Sequence, residues 1–447
     1  MGLIDEWSFF KHGVERKSLD ELALEKPGPV PLLKIGIYAN LWVREAWHAT
    51  RAGFFLLDTE NPLQWVLFRR LSRLYDAPVV PIFICDGPQI PSPRIASPTN
   101  AVPSEQHYLD ELECFAKAFG FTWHKAPGEA LAELAEMNRL SKIDVVLSED
   151  TDAIVYGAES LIRRFNTIAD DDAVRVDSFH SHAIRDANNS PISKGALLLM
   201  ALMSGSGTLQ PGIAGCELKT SFMLAHSGLG DRLYDAACSM NDESLQEFLD
   251  SWRELIKYEL NQVKFLDHAY PTLAFRIDKT WPSKDVIKMF VHPATSLSLG
   301  ISFPEVARKA ARLGDIAAAC ELRFSFATPK AVLKVFKNIL WDGIAMDTMI
   351  RHLSGELTDE ELLEVAHIAK ADHVDDETQT LYRLDVDISY AIHDVLDGLQ
   401  GLRGPADSVE VVGYARSMKR TKAVWLRPKI CDGLAHLLVN QFLVSFL

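Results

Sequence analysis

Short apolar runs and longer amphipathic stretches take turns along this chain. Leu33–Asn40 (LKIGIYAN), Val79–Asp86, Phe121–His124 and Ile143–Leu147 are brief, β-branched and apolar, the pattern of strands covered on both faces of a parallel sheet. Leu161–Phe165 and Ala173–Val176 read as further short strands. Between them lie helical periods. LDELALEK is one, and a second begins at Asn61-Pro62 with Leu63, Val66, Leu67, Leu71 and Leu74 as its buried stripe. A third spans His107–Ala118, and a fourth starts at Pro127-Gly128, where proline suits a helix start. Strands alternating with helices predict an α/β fold with a doubly wound, mostly parallel sheet.

Residues 230–365 are mainly helical in pattern: EFLDSWRELIKYELNQV, then WPSKDVIKMFVHPATS, then a helix expected around Phe303–Leu313. Acids gather at ADHVDDET from Asp372 onward, which predicts a linker. LYRLDVDISYA and AVWLRP then alternate like strands, so a small β module is expected at the C-terminus. The divisions that follow are 1–90, a loop at 91–105, 106–230, a helical region at 231–370 and a module at 375–447. No internal repeat is present.

Composition narrows the function. At 447 residues two or three domains are expected, and 48% hydrophobic content suffices for a packed core. The apolar runs fall far short of the ~18–20 residues of a membrane helix, and no signal peptide is expected from the N-terminus. Six cysteines at 85, 114, 216, 238, 320 and 431 lack metal-ligand spacing, so free thiols in a reducing intracellular compartment are expected. The net charge of −15 argues against strong DNA binding, which draws its affinity from phosphate neutralisation.

The candidate chemistry lies in APGEALAELAEMNRLSKIDVVLSEDTDAIVYGA, residues 126–158. Glu129 stands at a helix start, and Asp150 and Asp152 follow a strand at i, i+2. The C-terminal edge of an open α/β sheet is where ligands bind, and converging carboxylates there suit a hard divalent cation. Acids at a helix start also stabilise the helix dipole, and Asp after a strand also forms turns.

This stretch, PGEA-x-AELA-x-x-N followed by D-x-VLSED-x-DA-x-x-YGA, resembles the internal nuclease motif of the XPG/flap-endonuclease family, and within it the eukaryotic Holliday-junction resolvases. Three further motifs follow the family's order. They are the opening Met1-Gly2-Leu3 with Trp7, the strand IFICDGP ending at Asp86, and the segment ALMSGSGTLQPGIAGCELKTSFMLA, which is similar to a helix–hairpin–helix. The resemblance covers about residues 1–293 and extends weakly to 365. It implies a PIN-like nuclease fold, paired Mg²⁺ ions (with Mn²⁺ as an alternative) and structure-specific cleavage of flaps or junctions in DNA repair. It also implies a nuclear location, although composition alone allows a cytoplasmic one, and a chromodomain in the region of the C-terminal module.

Of the seven metal-side carboxylates the resemblance implies, Asp86, Glu129, Asp150 and Asp152 remain, and Tyr38, Leu131 and Gly207 stand in place of the others. Glu133, one turn beyond Glu129, offers partial compensation. One cation is therefore expected to fit better than two. In the hairpin Gly212, Gly215 and Lys219 are retained as DNA-binding positions, but Glu217 replaces a glycine, where a carboxylate would repel phosphate and a Cβ would hinder a positive φ. The loop that forms a basic arch in the family holds a single basic residue, Arg94, between Gly87 and His107. Arg69, Arg70 and Arg73 read as a solvated helix face in preference to a phosphate-contacting strip. Three readings follow: a pseudo-nuclease that binds branched DNA weakly, an active Mg²⁺-dependent endonuclease, and a protein-interaction scaffold without a DNA role. A protein partner is expected, and no membrane.

Overall fold

The computed structural model describes residues 14–52, 60–90, 102–165, 175–184, 192–205, 211–325, 327–373 and 380–445. Ten strands occur among them: β1 (Val14–Ser18), β2 (Leu33–Tyr38), β3 (Val79–Cys85), β4 (Thr122–Lys125), β5 (Val145–Leu147), β6 (Ser160–Arg163), β7 (Arg175–His180), β8 (Ala366–His373), β9 (Thr380–Asp387) and β10 (Thr421–Leu426). The first seven form one sheet in the order β1-β7-β6-β5-β2-β3-β4, and the last three a second in the order β10-β9-β8.

The centre of the large sheet is parallel, as the apolar runs predict. β2 pairs with β3 on one side and β5 on the other, and β4 and β6 extend it in the same sense. All seven residues of β3 are buried, which fits a strand covered on both faces. At one end β7 pairs antiparallel with β6, and β1 antiparallel with β7. Helices Ala39–Arg51, Pro62–Tyr75, Glu105–Ala118 and Ala130–Arg139 are among those that cover the sheet. Their apolar stripes supply much of the core; the Pro62–Tyr75 helix buries Leu63, Val66, Leu67, Leu71 and Leu74 as its period predicts. Arg70 is not simply solvated: it bonds the Glu45 carboxylate at 3.0 Å and lies over the Trp42 ring.

Two expectations fail. Residues 303–312 form no helix; the next helix begins at Leu313. Their backbone N–H groups are spent on another element: Lys309 N–H donates to Gly120 O at 2.9 Å and Arg312 N–H to Ala118 O at 2.8 Å. Tertiary pairing thus overrides a helical period. The linker expected from Asp372 is in its first part strand, since β8 runs to His373 and pairs antiparallel with β9. The small C-terminal sheet is present, and helix Pro428–Val444 packs against β8 and β9.

Arg308 ties the helical region to the large sheet. Its fully buried side chain donates to the carbonyls of Tyr75 (2.8 Å) and Ala77 (3.3 Å), and its guanidinium lies 3.8 Å from Asp347. Close by, Gly343 abuts the end of the Pro62–Tyr75 helix, where a Cβ would come within 2.2 Å of the Tyr75 ring and 2.7 Å of Asp76 Oδ1. Burial, reinforced by the Asp342 carboxylate, pushes the Asp76 carboxyl up to about 8, and burial raises Asp347 to about 6 against the pull of Arg308. An unfolded aspartate titrates near ~3.9. Above that pH the folded protein keeps protons that the unfolded chain has released, so stability falls as pH rises. The fall is expected to span about pH 4–8, with Asp76 responsible for its upper part. Urea midpoints across that range should show it, and Asp76→Asn should flatten it above about pH 6; a parent protein with constant midpoints would refute the assignment.

Candidate nuclease-type acidic site

Backbone pairing brings the acids to one edge. β5, β2 and β3 are parallel neighbours, so their C-terminal ends place Tyr38 in the strand between those followed by Asp150 and Asp86. The loop carrying Glu129 is laced to the end of β3: Ala126 N–H donates to Cys85 O (3.0 Å), Gly87 N–H to Gly128 O (2.8 Å) and Gln89 N–H to Pro127 O (3.0 Å). This approach needs glycine at 87, where a Cβ would fall 1.7 Å from Ala126 O. Glu129 flanks the N-terminus of the helix Ala130–Arg139 without a capping bond from its side chain.

The acids are buried and engaged. Glu129, Asp150 and Asp152 are 7%, 8% and 1% exposed. Asp86 accepts from the Tyr38 phenol at 3.1 Å on one oxygen and from Ala130 N–H at 2.9 Å on the other. Glu129 accepts from the Tyr156 phenol at 2.7 Å. Burial, then the Glu129 charge, pushes the Tyr156 phenol well above its ordinary value, so it stays a donor. Asp150 Oδ1 accepts from Asp152 N–H at 3.0 Å, starting the short helix Asp152–Val155, and burial raises the Asp150 carboxyl.

Asn40 is a hub of hydrogen bonds at this edge. Its Oδ1 accepts from Asp86 N–H at 3.0 Å and its Nδ2 donates to Glu105 at 3.1 Å, which Arg44 also meets at 3.1 Å. Asn40, Arg44, Asp86, Glu105 and Lys125 line a cavity of about 480 Å³ beside the acids.

Glu133 does not join the group. One oxygen bonds His124 at 3.0 Å and the other accepts from Ser296 N–H at 2.7 Å. Burial alone would raise this carboxyl, but those hydrogen bonds outweigh it and hold it below the usual carboxylate range. The compensation expected from Glu133 is thus replaced by a tie between the Ala130–Arg139 helix, β4 and the segment at 296. Leu131 is fully buried in the core. Gly207 and Arg94 lie outside the described residues. Among the described residues no group of three or more His, Cys, Asp or Glu side chains is placed to hold a metal ion. Paired divalent cations need many oxygen ligands, and the residues present, with a phenol on Asp86 and leucine at 131, do not fit such a pair.

The hairpin keeps its turn. Cys216 N–H donates to Ile213 O at 2.8 Å, and Gly215 takes the positive φ of 83°. Glu217 has φ −80° and flanks the N-terminus of helix Leu218–Ala225, so the expected conflict with a positive φ does not arise there. The positive charge is instead offset: Lys219 pairs with Asp267 at 3.1 Å, and Lys219 and the Tyr270 hydroxyl hold that carboxyl down at about 2. Arg276 donates to Ala214 O over the same turn. Tyr156 lay inside the quoted motif and could have been assigned from it; Asp267 and Arg276 carried no signal in local spacing.

Comparison with known proteins agrees with the resemblance. The XPG I-region family model matches residues 120–207. Flap endonuclease GEN of Drosophila melanogaster is 24% identical over 245 residues, 48% of this chain and 32% of that protein. Flap endonuclease GEN homolog 1 of Mus musculus is 26% identical over 253 residues, 52% and 26% of the two chains. This chain thus spans about a third or less of the length of these relatives. Among solved structures, the Holliday junction-resolving enzyme GEN1 with product DNA and Mg²⁺ superposes with a TM-score of 0.69 at 21% identity, covering 98% of both chains. Human GEN1 with Holliday junction DNA gives 0.62 at 16% identity, covering 99% of this chain and 97% of that one. The large sheet and its helices have the PIN-like architecture of these enzymes, and the chain carries an XPG I-region at residues 120–207 and is similar to the GEN branch of the XPG/flap-endonuclease family.

Proposed function

We propose that this protein recognises branched DNA, such as flaps and four-way junctions, and that its phosphodiester hydrolysis is weak or lost. The fold and the GEN relatives support the substrate class. The loss of hydrolysis rests above all on the Tyr38–Asp86 hydrogen bond, which puts a phenol where the resemblance implies a metal-side carboxylate. One Mg²⁺ or Mn²⁺ at most is expected, around which Asp86, Glu129, Asp150 and Asp152 would have to draw together, since no three acids among the described residues are placed to hold an ion, and a nuclear location follows from the same resemblance. The retained Glu129, Asp150 and Asp152 favour a second reading, residual Mg²⁺-dependent cleavage in DNA repair.

A labelled 5′ flap and a four-way junction incubated with purified protein and Mg²⁺ or Mn²⁺ decide between them. Binding without cleavage is expected; cleavage abolished by Asp150→Asn would establish the second reading. Absence of any binding would support a protein scaffold instead.

Binding itself is expected to be weak, with log affinity falling against log salt at a slope of about −1 to −4, because few phosphates are neutralised. The Lys219–Asp267 pair gives a direct handle. Asp267→Asn releases Lys219 and should steepen the slope by about one unit if the hairpin faces phosphate. Glu217→Gly should tighten binding by removing a carboxylate that repels phosphate. Unchanged slopes in both variants would remove the hairpin from the interface.

A further inference from the structure

The segment after the Lys284–Val291 helix presents aliphatic side chains on a fixed ledge. Thr295 N–H donates to Ser298 Oγ at 2.8 Å, Ser298 N–H returns a bond to Thr295 Oγ1 at 3.2 Å, and Ser296 N–H is held by Glu133 at 2.7 Å. Twelve residues beyond Ser296, the buried Arg308 anchors the other end on the Tyr75 carbonyl. Between these anchors Leu297, Leu299 and Ile301 are 49%, 45% and 51% exposed. Isolated exposed aliphatics are ordinary, but three on one anchored stretch of five residues beside a cavity mark a contact surface.

That cavity, about 670 Å³, opens at the N-terminal ends of β2 and β5, the opposite end of these strands from Asp86 and Asp150. Leu297, Ile301, Phe303 and Val306 form its apolar side. Lys34, from the start of β2, and Lys142, just before β5, supply positive charge. Neither lysine forms an ion pair among the described residues, and Glu305 is the single carboxylate of the lining. On a chain of net charge −15 this is a local reversal of sign.

We infer that this groove docks a peptide segment of a partner protein in which aliphatic or aromatic residues are combined with acids, the apolar side chains seated on Leu297 and Ile301 and the acids facing Lys34 and Lys142. Because the ledge is held at both ends, little ordering is needed on this side of the contact, which favours a short linear segment. The surface lies apart from the acidic site, so occupancy can bring a partner without covering that edge of the sheet.

The test uses the full chain against an array of twelve-residue peptides that combine Leu, Ile or Phe with Asp or Glu, alongside the same peptides carrying Lys or Arg in place of the acids. The acidic set should be retained and the basic set not. Ile301→Asp should weaken retention about tenfold or more, as loss of an apolar anchor does. Lys142→Glu should cut it about two- to fivefold, the scale of an exposed ion pair, and shift preference toward the basic set. Thermal unfolding checks that each variant is folded, and Leu297→Ser replaces Ile301→Asp if that one is not. Equal retention of both sets, or undiminished binding by a folded Ile301→Asp protein, overturns the inference. So does a concentration-dependent dimer in sedimentation that Ile301→Asp abolishes, since the occupant would then be a second copy of the chain. Displacement of bound peptide by duplex DNA overturns it by assigning the groove to nucleic acid. Junction binding by the parent protein is read separately and is expected to be unchanged in both variants.

Discussion

Arg308→Ala is expected to lower folding stability by about 3–5 kcal/mol, the scale of breaking a buried ion pair from one side. The guanidinium is fully buried, bonds the carbonyls of Tyr75 and Ala77, faces Asp347 at 3.8 Å and lies over the Tyr75 ring at 5.0 Å. Alanine would take the Arg308 donor from the Tyr75 carbonyl, leave Ala77 O with Val79 N–H alone, leave a cavity and strand the Asp347 charge. The loss should depend on pH. Asp347 titrates at about 6 with Arg308 present, and without that cation its carboxyl would rise further and take up a proton. The variant should therefore lose less near pH 5 than near pH 8, because a neutral carboxyl tolerates burial better than a charged one. Urea unfolding at the two pH values measures this. Arg308→Lys keeps the charge but not the planar fork, and should fall between. A loss under about 1 kcal/mol for alanine would show that Arg308 does not join the helical region to the sheet as described.

The segment that carries Arg308 shows where sequence pattern stopped being informative. Residues 303–313 have a helical period, yet Lys309 and Arg312 donate their N–H groups to Gly120 and Ala118. Such a choice is made by an element nearly two hundred residues away, and no local window contains it. The parallel core was legible because burial on both faces forces continuous apolar runs in β2, β3 and β5, and those runs need no partner to be recognised. β8 was hidden because its last residues, 371–373, open the acidic run, and Asp372 suits an exposed position on a small antiparallel sheet as readily as a linker. At the site the residue types were readable, since a strand followed by Asp or a helix start carrying Glu is a local pattern. Their hydrogen-bond partners were not. Tyr38 reaches Asp86 across 48 residues, and Glu133 reaches Ser296 across 163. The residue types could thus be counted locally, while only the fold reveals that Asp86 and Glu129 each accept from a phenol and that Glu133 is committed elsewhere.

Restoring the missing acids should change metal binding more than any single substitution. Tyr38→Asp, Leu131→Glu and Gly207→Asp together are expected to create measurable Mg²⁺ binding in calorimetry, where each alone does little, because groups acting around one cation cluster are strongly non-additive. Without metal the triple variant should be less stable than the parent by about 3–5 kcal/mol, for two reasons. Leu131 is fully buried in the core, so a carboxylate there loses hydration, and Tyr38→Asp replaces a phenol donor on Asp86 with a like charge. Saturating Mg²⁺ should recover much of that loss by binding only the folded state. Tyr38→Phe separates the two effects of the phenol. It removes the donor without adding charge, and should cost about 1 kcal/mol while creating no comparable metal affinity. Cleavage need not return with the metal, since an offset Lys219 would still hold DNA poorly and small errors of placement are expensive in rate. A triple variant that is folded yet takes up no Mg²⁺ would show that positions 38, 131 and 207 are not the sites of the lost ligands, and the case for an inactive nuclease would then have to rest on the direct cleavage assay.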